Sequence, residues 1–171
     1  AARWRAAVLG SPIAHSLSPA LHRAAYVALR LSWSYDPIEV TESTLAAFLD
    51  SCDESWVGLS LTMPLKEAVL PLLDEVSDLA RDVAAANTVL LTPGRRIGTN
   101  TDVPGMVRAL RGALGASPVS RAAILGAGAT ARSAVAALSD MDVHHVDLVV
   151  RRPDAAQSLM ELAERHGMSA S

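Results

Sequence analysis

Short apolar runs bounded by turn residues alternate along this chain with stretches of helical period, the pattern of an α/β protein. Ala6-Ala7-Val8-Leu9, within residues 3–10, predicts a first strand stopped by Gly10-Ser11-Pro12. A helix of about a dozen residues follows, with Ser18 as its N-cap and Pro19 at its first position, where a missing amide costs nothing. Ser34 to Val40 reads as a second strand, and Thr44 to Asp50 as a helix capped by Thr41 or Ser43. Trp56 to Leu61 is a third strand running into the turn Thr62-Met63 and a helix opened by Pro64. A helical turn or two is expected over Asp78 to Ala84, then a strand from Ala85 to Leu91 with Asn87-Thr88 at its start. Thr92-Pro93-Gly94-Arg95-Arg96 is a hairpin-like turn. Ile97 to Asp102 follows, and Pro104 opens a helix to about Leu114.

Gly112 to Pro118 is rich in Gly, Ala, Ser and Pro and marks the domain boundary, giving domains at 1–115 and 116–171. Beyond it come a buried strand Ala122-Ala123-Ile124-Leu125, a glycine turn, and a small-residue helix from Arg132 to Leu138. The strand Val146 to Val150, the turn Arg151-Arg152-Pro153 and a closing helix Asp154 to His166 complete the pattern. The expected fold is an N-terminal α/β domain with a mainly parallel sheet, followed by a second parallel α/β unit.

One residue changes the picture. Lys66 is the only lysine among 15 positive side chains, the rest being arginines. Arginine cannot release its proton near neutral pH, whereas burial and neighbouring charge can tune a lysine to do so. Lys66 also sits just past a strand end, where catalytic groups collect. Asp102, at the corresponding strand-to-helix junction, is the candidate carboxylate partner, although an N-cap role ahead of Val103-Pro104 would account for it too. The two are expected to share a cleft facing the glycine turn. Ser16 and Ser18 stand at a helix N-terminus whose free amides suit a carboxylate or phosphate; capping accounts for Ser18 and leaves Ser16 unexplained.

The net charge of -3 argues against nucleic acid as a partner. No apolar run approaches the roughly 20 residues of a membrane span. The single Cys52 excludes an intramolecular disulfide and suits a reducing cytoplasm. The five histidines lack metal-ligand spacing, so no metal is expected.

Gly126-Ala127-Gly128-Ala129-Thr130-Ala131 between a strand and a helix, with a second strand following, is the dinucleotide fingerprint of a Rossmann-type unit. The first glycine permits the tight turn, the second admits the pyrophosphate, and the small residue at 131 lets helix meet strand. An NAD site would carry Asp or Glu at the end of the second strand. This chain places Arg151 and Arg152 there, which pair with a 2′-phosphate, so NADP is the expected cofactor.

Five stretches in order carry a family resemblance: Ser11 to Pro19 (Ser-Pro-Ile-x-His-Ser-x-Ser-Pro), Thr62 to Lys66 (Thr-x-Pro-x-Lys), Ala86 to Thr88 (Ala-Asn-Thr), Gly98 to Asp102 (Gly-x-Asn-Thr-Asp) and Gly126 to Arg132 (Gly-Ala-Gly-x-x-x-Arg). Together they resemble shikimate dehydrogenase of the shikimate/quinate dehydrogenase family, over nearly the whole chain. The resemblance implies NADP-dependent reversible reduction of 3-dehydroshikimate to shikimate in aromatic amino-acid (chorismate) biosynthesis. It implies that Ser16 and Ser18 bind the substrate carboxylate, and that Thr62, Lys66, Asn87 and Asp102 bind its hydroxyl-bearing edge. It makes Lys66 the acid-base residue paired with Asp102, and Gly126 to Thr130 with Arg151 and Arg152 the cofactor site. Thr62 and Asn87 come from the resemblance alone.

Three departures accompany it. Ser60 stands where the family usually has Asn. Ala129 replaces a loop glycine, and Arg151 replaces the Asn of the usual Asn-Arg-Thr. The chain is expected to stop after only two strands of the nucleotide sheet, leaving an exposed edge and a piece of low or no activity. Two other readings stay open: a non-catalytic nucleotide- or metabolite-binding module on this scaffold, and a shikimate/quinate dehydrogenase of relaxed choice. Serine at both 16 and 18 looks more like the shikimate branch. Monomer and homodimer are both open.

Overall fold

The computed structural model describes residues 3–151 and 153–171. These form two compact units, one of residues 3–81 with 86–99, the other of residues 82–85 with 100–151 and 153–171.

In the first unit, strand β1 (Trp4–Gly10) lies between β2 (Trp33–Glu39) and β3 (Trp56–Leu61), parallel to both. A strand buried on both faces has no polar positions to alternate with, and hence the unbroken run from Ala6 to Leu9. The hairpin β5 (Thr88–Thr92) and β6 (Arg95–Thr99) adds antiparallel strands beside β3, and a two-residue β4 (Glu75–Val76) runs parallel to β6 at the edge. The sheet order is β2-β1-β3-β5-β6-β4. On one face Leu9, Leu59, Leu61 and Val89 pack with Leu45 and Leu49 of α2 (Glu42–Asp50) and with Leu65 of α3 (Leu65–Ala68). On the other, Ala6, Val8, Ile13 and Tyr35 form a smaller core with Tyr26 of α1 (Ser18–Ala28).

Local chemistry explains the helix ends. Thr41 and Thr44 form a reciprocal capping box at the start of α2, with threonine in place of the usual Glu or Gln. Helix α3 is a single turn because Pro71, which lacks an amide proton, forces a 3₁₀ turn at Leu70–Leu72. Pro64 is its N-cap rather than its first residue. The expected cap at Ser18 is also displaced: Leu17 is the N-cap, Ser18 is already helical, and its amide reaches the Ser16 hydroxyl at 3.4 Å. Short α4 (Asp78–Asp82) closes the run before β5.

The second unit holds a parallel sheet ordered β7 (Arg121–Leu125), β8 (His145–Val149), β9 (Ser169–Ala170). Three strands are therefore present, not the two expected. The last is too short, and too poor in β-branched residues, to show a strand pattern. Helices α5 (Asp102–Leu114), α6 (Ala129–Ser139) and α7 (Asp154–Arg165) complete the unit. Ala131, Val135, Val146, Leu159 and Leu162 are buried in one core. The small residue at 131 meets the sheet as the fingerprint requires. No helix among the described residues is long and apolar enough to cross a membrane.

Candidate functional site

The residues expected in a site on the first unit gather at the C-terminal rim of β1 and β3, the end at which open α/β sheets bind ligands. The turn after β3 is stitched to the turn after β1: Thr62 N–H donates to the Leu9 carbonyl (2.9 Å), and Ser11 N–H to the Met63 carbonyl (3.0 Å). Gly10 makes this approach possible. A Cβ there would lie 2.4 Å from Thr62 Cγ2 and 2.9 Å from the Met63 carbonyl oxygen. From this turn Leu65 N–H donates back to the Thr62 carbonyl (2.8 Å), which starts α3 and delivers Lys66 one residue later. The Lys66 carbonyl accepts the Ala86 amide (2.8 Å), and the Asn87 carbonyl accepts the Leu61 amide (2.8 Å). Thr62, Lys66 and Asn87 are thus carried by three backbone segments bonded to one another.

Ser16 and Ser18 lie at the entry to α1. Tyr35 is buried beneath that helix, 2 % exposed, and donates its hydroxyl to Ser60 Oγ at 2.7 Å. His22 stacks on the phenol with centroids 3.9 Å apart and planes 7° from parallel. Its Nδ1 lies 2.9 Å from the Ser18 carbonyl, which can only accept, so Nδ1 carries the proton. Burial pushes the Tyr35 phenol up from its ordinary pKa, and contacts with Ser60 and Ser18 partly oppose that. Neither Tyr35 nor Ser60 stands out in sequence as part of a site. The signal for Ser60 was its departure from the family Asn, and a tyrosine in a strand reads first as core.

In the second unit Asp102 is the first residue of α5, not its N-cap. The residue missed is Asn100, which is 2 % exposed. Its Oδ1 accepts the Asp102 and Val103 amides (3.0 and 3.2 Å), and its Nδ2 donates to the Ala85 carbonyl (2.9 Å) and Ser133 Oγ (3.1 Å). Both polar atoms of its side chain are therefore engaged, and the start of the Asp102 helix is fixed to segment 82–85 and to α6. Arg132, the last residue of the glycine-loop motif, faces the same segment, with Nε donating to the Val83 carbonyl at 2.6 Å.

The glycine loop has the backbone that the dinucleotide fingerprint calls for. Gly126 adopts φ +100, open to glycine but not to a side chain. Gly128 is the N-cap of α6, no side chain caps that helix, and no acidic residue sits in its first turn. A Cβ at Gly126 or Gly128 would meet nothing within 4 Å, so internal packing does not demand these glycines and the approach to the loop is open. Ala127, Ala129 and Thr130 complete the loop, and exposed Arg151 follows the end of β8. Arg152 lies outside the described residues.

An open cavity of about 770 Å³ lies at the opposite rim of the first sheet, near Trp4, Trp56 and the Thr92–Arg95 turn. None of the expected site residues lines it. Both of its arginines pair with carboxylates, Arg96 with Asp50 (2.7 Å) and Arg95 with Glu75, so size alone does not make it the reactive centre. Among the described residues no group of three or more His, Cys, Asp and Glu could hold a metal ion.

Comparison with known proteins agrees with this geometry. Residues 8–89 match the family model of the shikimate dehydrogenase substrate binding domain. A shikimate dehydrogenase (NADP(+)) of Citrifermentans bemidjiense is 44 % identical over 158 residues, covering 91 % of this chain and 54 % of that protein. The crystal structure of Mycobacterium tuberculosis shikimate dehydrogenase superposes with a TM-score of 0.87 at 42 % identity, covering 98 % of this chain and 62 % of that one. A Thermus thermophilus shikimate 5-dehydrogenase in complex with NADP(H) and shikimate gives a TM-score of 0.87 at 40 % identity, again covering 98 % and 62 %. The chain thus spans roughly half to three-fifths of the length of the proteins it matches. In its ordered motifs, the rim that carries Lys66, its sequence and its fold, the chain is similar to the shikimate dehydrogenases over the part of those proteins that it spans.

Proposed function

We propose that this chain carries the substrate domain, over residues 1–115, and the start of the NADP-binding domain, over 116–171, of an enzyme that reversibly reduces 3-dehydroshikimate to shikimate. The observation that carries the proposal is the bonded rim of the first sheet, which places Thr62, Lys66 and Asn87 on adjoining segments beside the Ser11–Ser18 loop. Ser16 and Ser18 hold the substrate carboxylate, their hydroxyls donating to it at a helix N-terminus that favours negative charge. Thr62 and Asn87 bind the hydroxyl-bearing edge.

Lys66 acts as the acid: its ammonium gives a proton to the ketone oxygen as negative charge develops there, and the neutral amine takes it back in the reverse direction. Asp102 is the carboxylate paired with Lys66 in this acid-base exchange. Gly126, Ala127, Gly128, Ala129 and Thr130 hold the pyrophosphate, and Arg151 and Arg152 the 2′-phosphate that distinguishes NADP. When bound, the nicotinamide supplies or accepts the hydride. The open approach to the glycines and the uncapped start of α6 fit such a group.

The test is an NADP-linked assay of the intact protein with shikimate and quinate in turn. Appearance of reduced cofactor with shikimate, and a lower kcat/KM with quinate, supports the proposal. A folded sample that binds ligand without turnover supports the non-catalytic module instead.

A further inference from the structure

The phenol beneath α1 has a directional hydrogen bond that the reaction outlined above does not use. Tyr35 is 2 % exposed, and its hydroxyl donates to Ser60 Oγ at 2.7 Å. A serine hydroxyl that accepts from a phenol keeps its own proton to donate elsewhere. Ser60 lies at the end of β3, two residues before Thr62, and pairs across the ladder with Thr88, the neighbour of Asn87. It therefore sits on the rim from which Thr62, Lys66 and Asn87 reach a ligand. The phenol is fixed on its other side by the His22 ring, which stacks 3.9 Å away and is itself tied by Nδ1–H to the Ser18 carbonyl at 2.9 Å. Side chains from α1, β2 and β3 thus converge on one buried hydroxyl.

We propose that Tyr35 is a positioning residue for the substrate: by occupying the acceptor side of Ser60 it turns that serine into a hydrogen-bond donor toward the ligand. An asparagine at position 60 would carry an amide donor of its own and need no such partner. This rests on the shikimate-binding reading of the rim. Without the phenol, the Ser60 hydroxyl is free to rotate and its proton is no longer held toward the ligand, at a cost on the scale of one neutral hydrogen bond. Because the contact is to substrate and not to the reacting oxygen, the loss falls on binding and not on the chemical step.

The experiment uses the intact protein in four forms besides the unaltered one: Tyr35→Phe, Ser60→Ala, the double variant Tyr35→Phe/Ser60→Ala, and Tyr35→Phe in a Ser60→Asn background. The expected result is a rise of ~5-fold in KM for shikimate in Tyr35→Phe with kcat within about twofold. The double variant should be no worse than Ser60→Ala alone, because the inference routes the phenol's effect through Ser60 and not through its other contact, Ser18. In the Ser60→Asn background, Tyr35→Phe should leave KM unchanged, an insensitivity that mere loss of core packing would not produce. A Tyr35→Phe protein with unaltered KM, or effects of Tyr35→Phe and Ser60→Ala that multiply independently, overturns the inference while leaving the function standing. Absence of shikimate turnover in the unaltered protein overturns the functional reading, and this inference with it.

Discussion

Replacing Asn100 by alanine removes four hydrogen bonds from a side chain that is 2 % exposed. Two of them cap α5 by accepting the Asp102 and Val103 amides, and losing a cap of this kind costs about 1 kcal/mol. The Ala85 carbonyl, in a fully buried residue, loses its donor, and an unsatisfied buried acceptor costs about 1–3 kcal/mol. Ser133 suffers less because its hydroxyl also reaches the Ala129 carbonyl at 3.4 Å. The sum is about 3 kcal/mol, which for a domain of this size lowers Tm by about 6–12 °C. Thermal and urea unfolding of Asn100→Ala beside the unaltered protein measures it. Asn100→Asp sharpens the test: aspartate caps as well as asparagine, but a carboxylate cannot donate to the Ala85 carbonyl and its charge is costly to bury. It too should be destabilised at neutral pH, with partial recovery on acidification as the carboxyl gains a proton to donate. Loss of less than about 1 kcal/mol in Asn100→Ala, or a neutral Asn100→Asp, would refute the idea that this side chain clamps α5 to segment 82–85.

Two further outcomes follow from single contacts. Gly10→Ala drives a Cβ to within 2.9 Å of the Met63 carbonyl oxygen, so the Thr62–Met63 turn must shift. The kcat/KM for shikimate should fall by ~10-fold or more, since misplacing a catalytic group by about 1 Å has effects of that order; an unchanged value would show that the stitched turns do not position Lys66. Arg121 holds Asp147 with two guanidinium hydrogen bonds of 2.7 and 2.6 Å, which keep the Asp147 carboxyl well below the usual carboxylate range. A depressed folded-state pKa contributes stability that is present above the unfolded value near pH 4 and is lost as pH falls toward the folded value. The stability gap between the unaltered protein and Asp147→Asn should therefore be fully open at neutral pH and narrow in acid. Urea midpoints across that range check it, and a gap independent of pH would contradict it.

Much of this fold was legible because burial leaves a mark in sequence. The unbroken apolar run of β1 appears where it was expected, Thr41 caps α2 as one of the two candidates beside Ser43, and the small-residue α6 is present but starts at Ala129 and not at Arg132. Features built from two or three residues escaped. Strand β4 is a pair of residues at a sheet edge, and β9 is Ser169–Ala170. Ser16 and Ser18 are the same residue type two positions apart before a proline, and local pattern does not say which hydroxyl reaches an amide. Asn100 hid among polar neighbours in Gly-Thr-Asn-Thr-Asp, since its four partners come from residues 85, 102, 103 and 133, distant in sequence as well as near. Tyr35 reads as core, and it is; only the 2.7 Å bond to Ser60 shows that its hydroxyl faces the rim.

The central claim is that the chain's solitary lysine is the acid-base group of a shikimate site on the first sheet's rim. It is tested most directly by Lys66→Ala in the intact protein, with shikimate affinity from calorimetry and NADP-linked turnover measured on the same sample. The account predicts affinity within about tenfold of the unaltered protein, and turnover lower by a factor on the order of a thousand, within the range that positioned acid-base groups contribute. Turnover that survives the substitution nearly intact would contradict it.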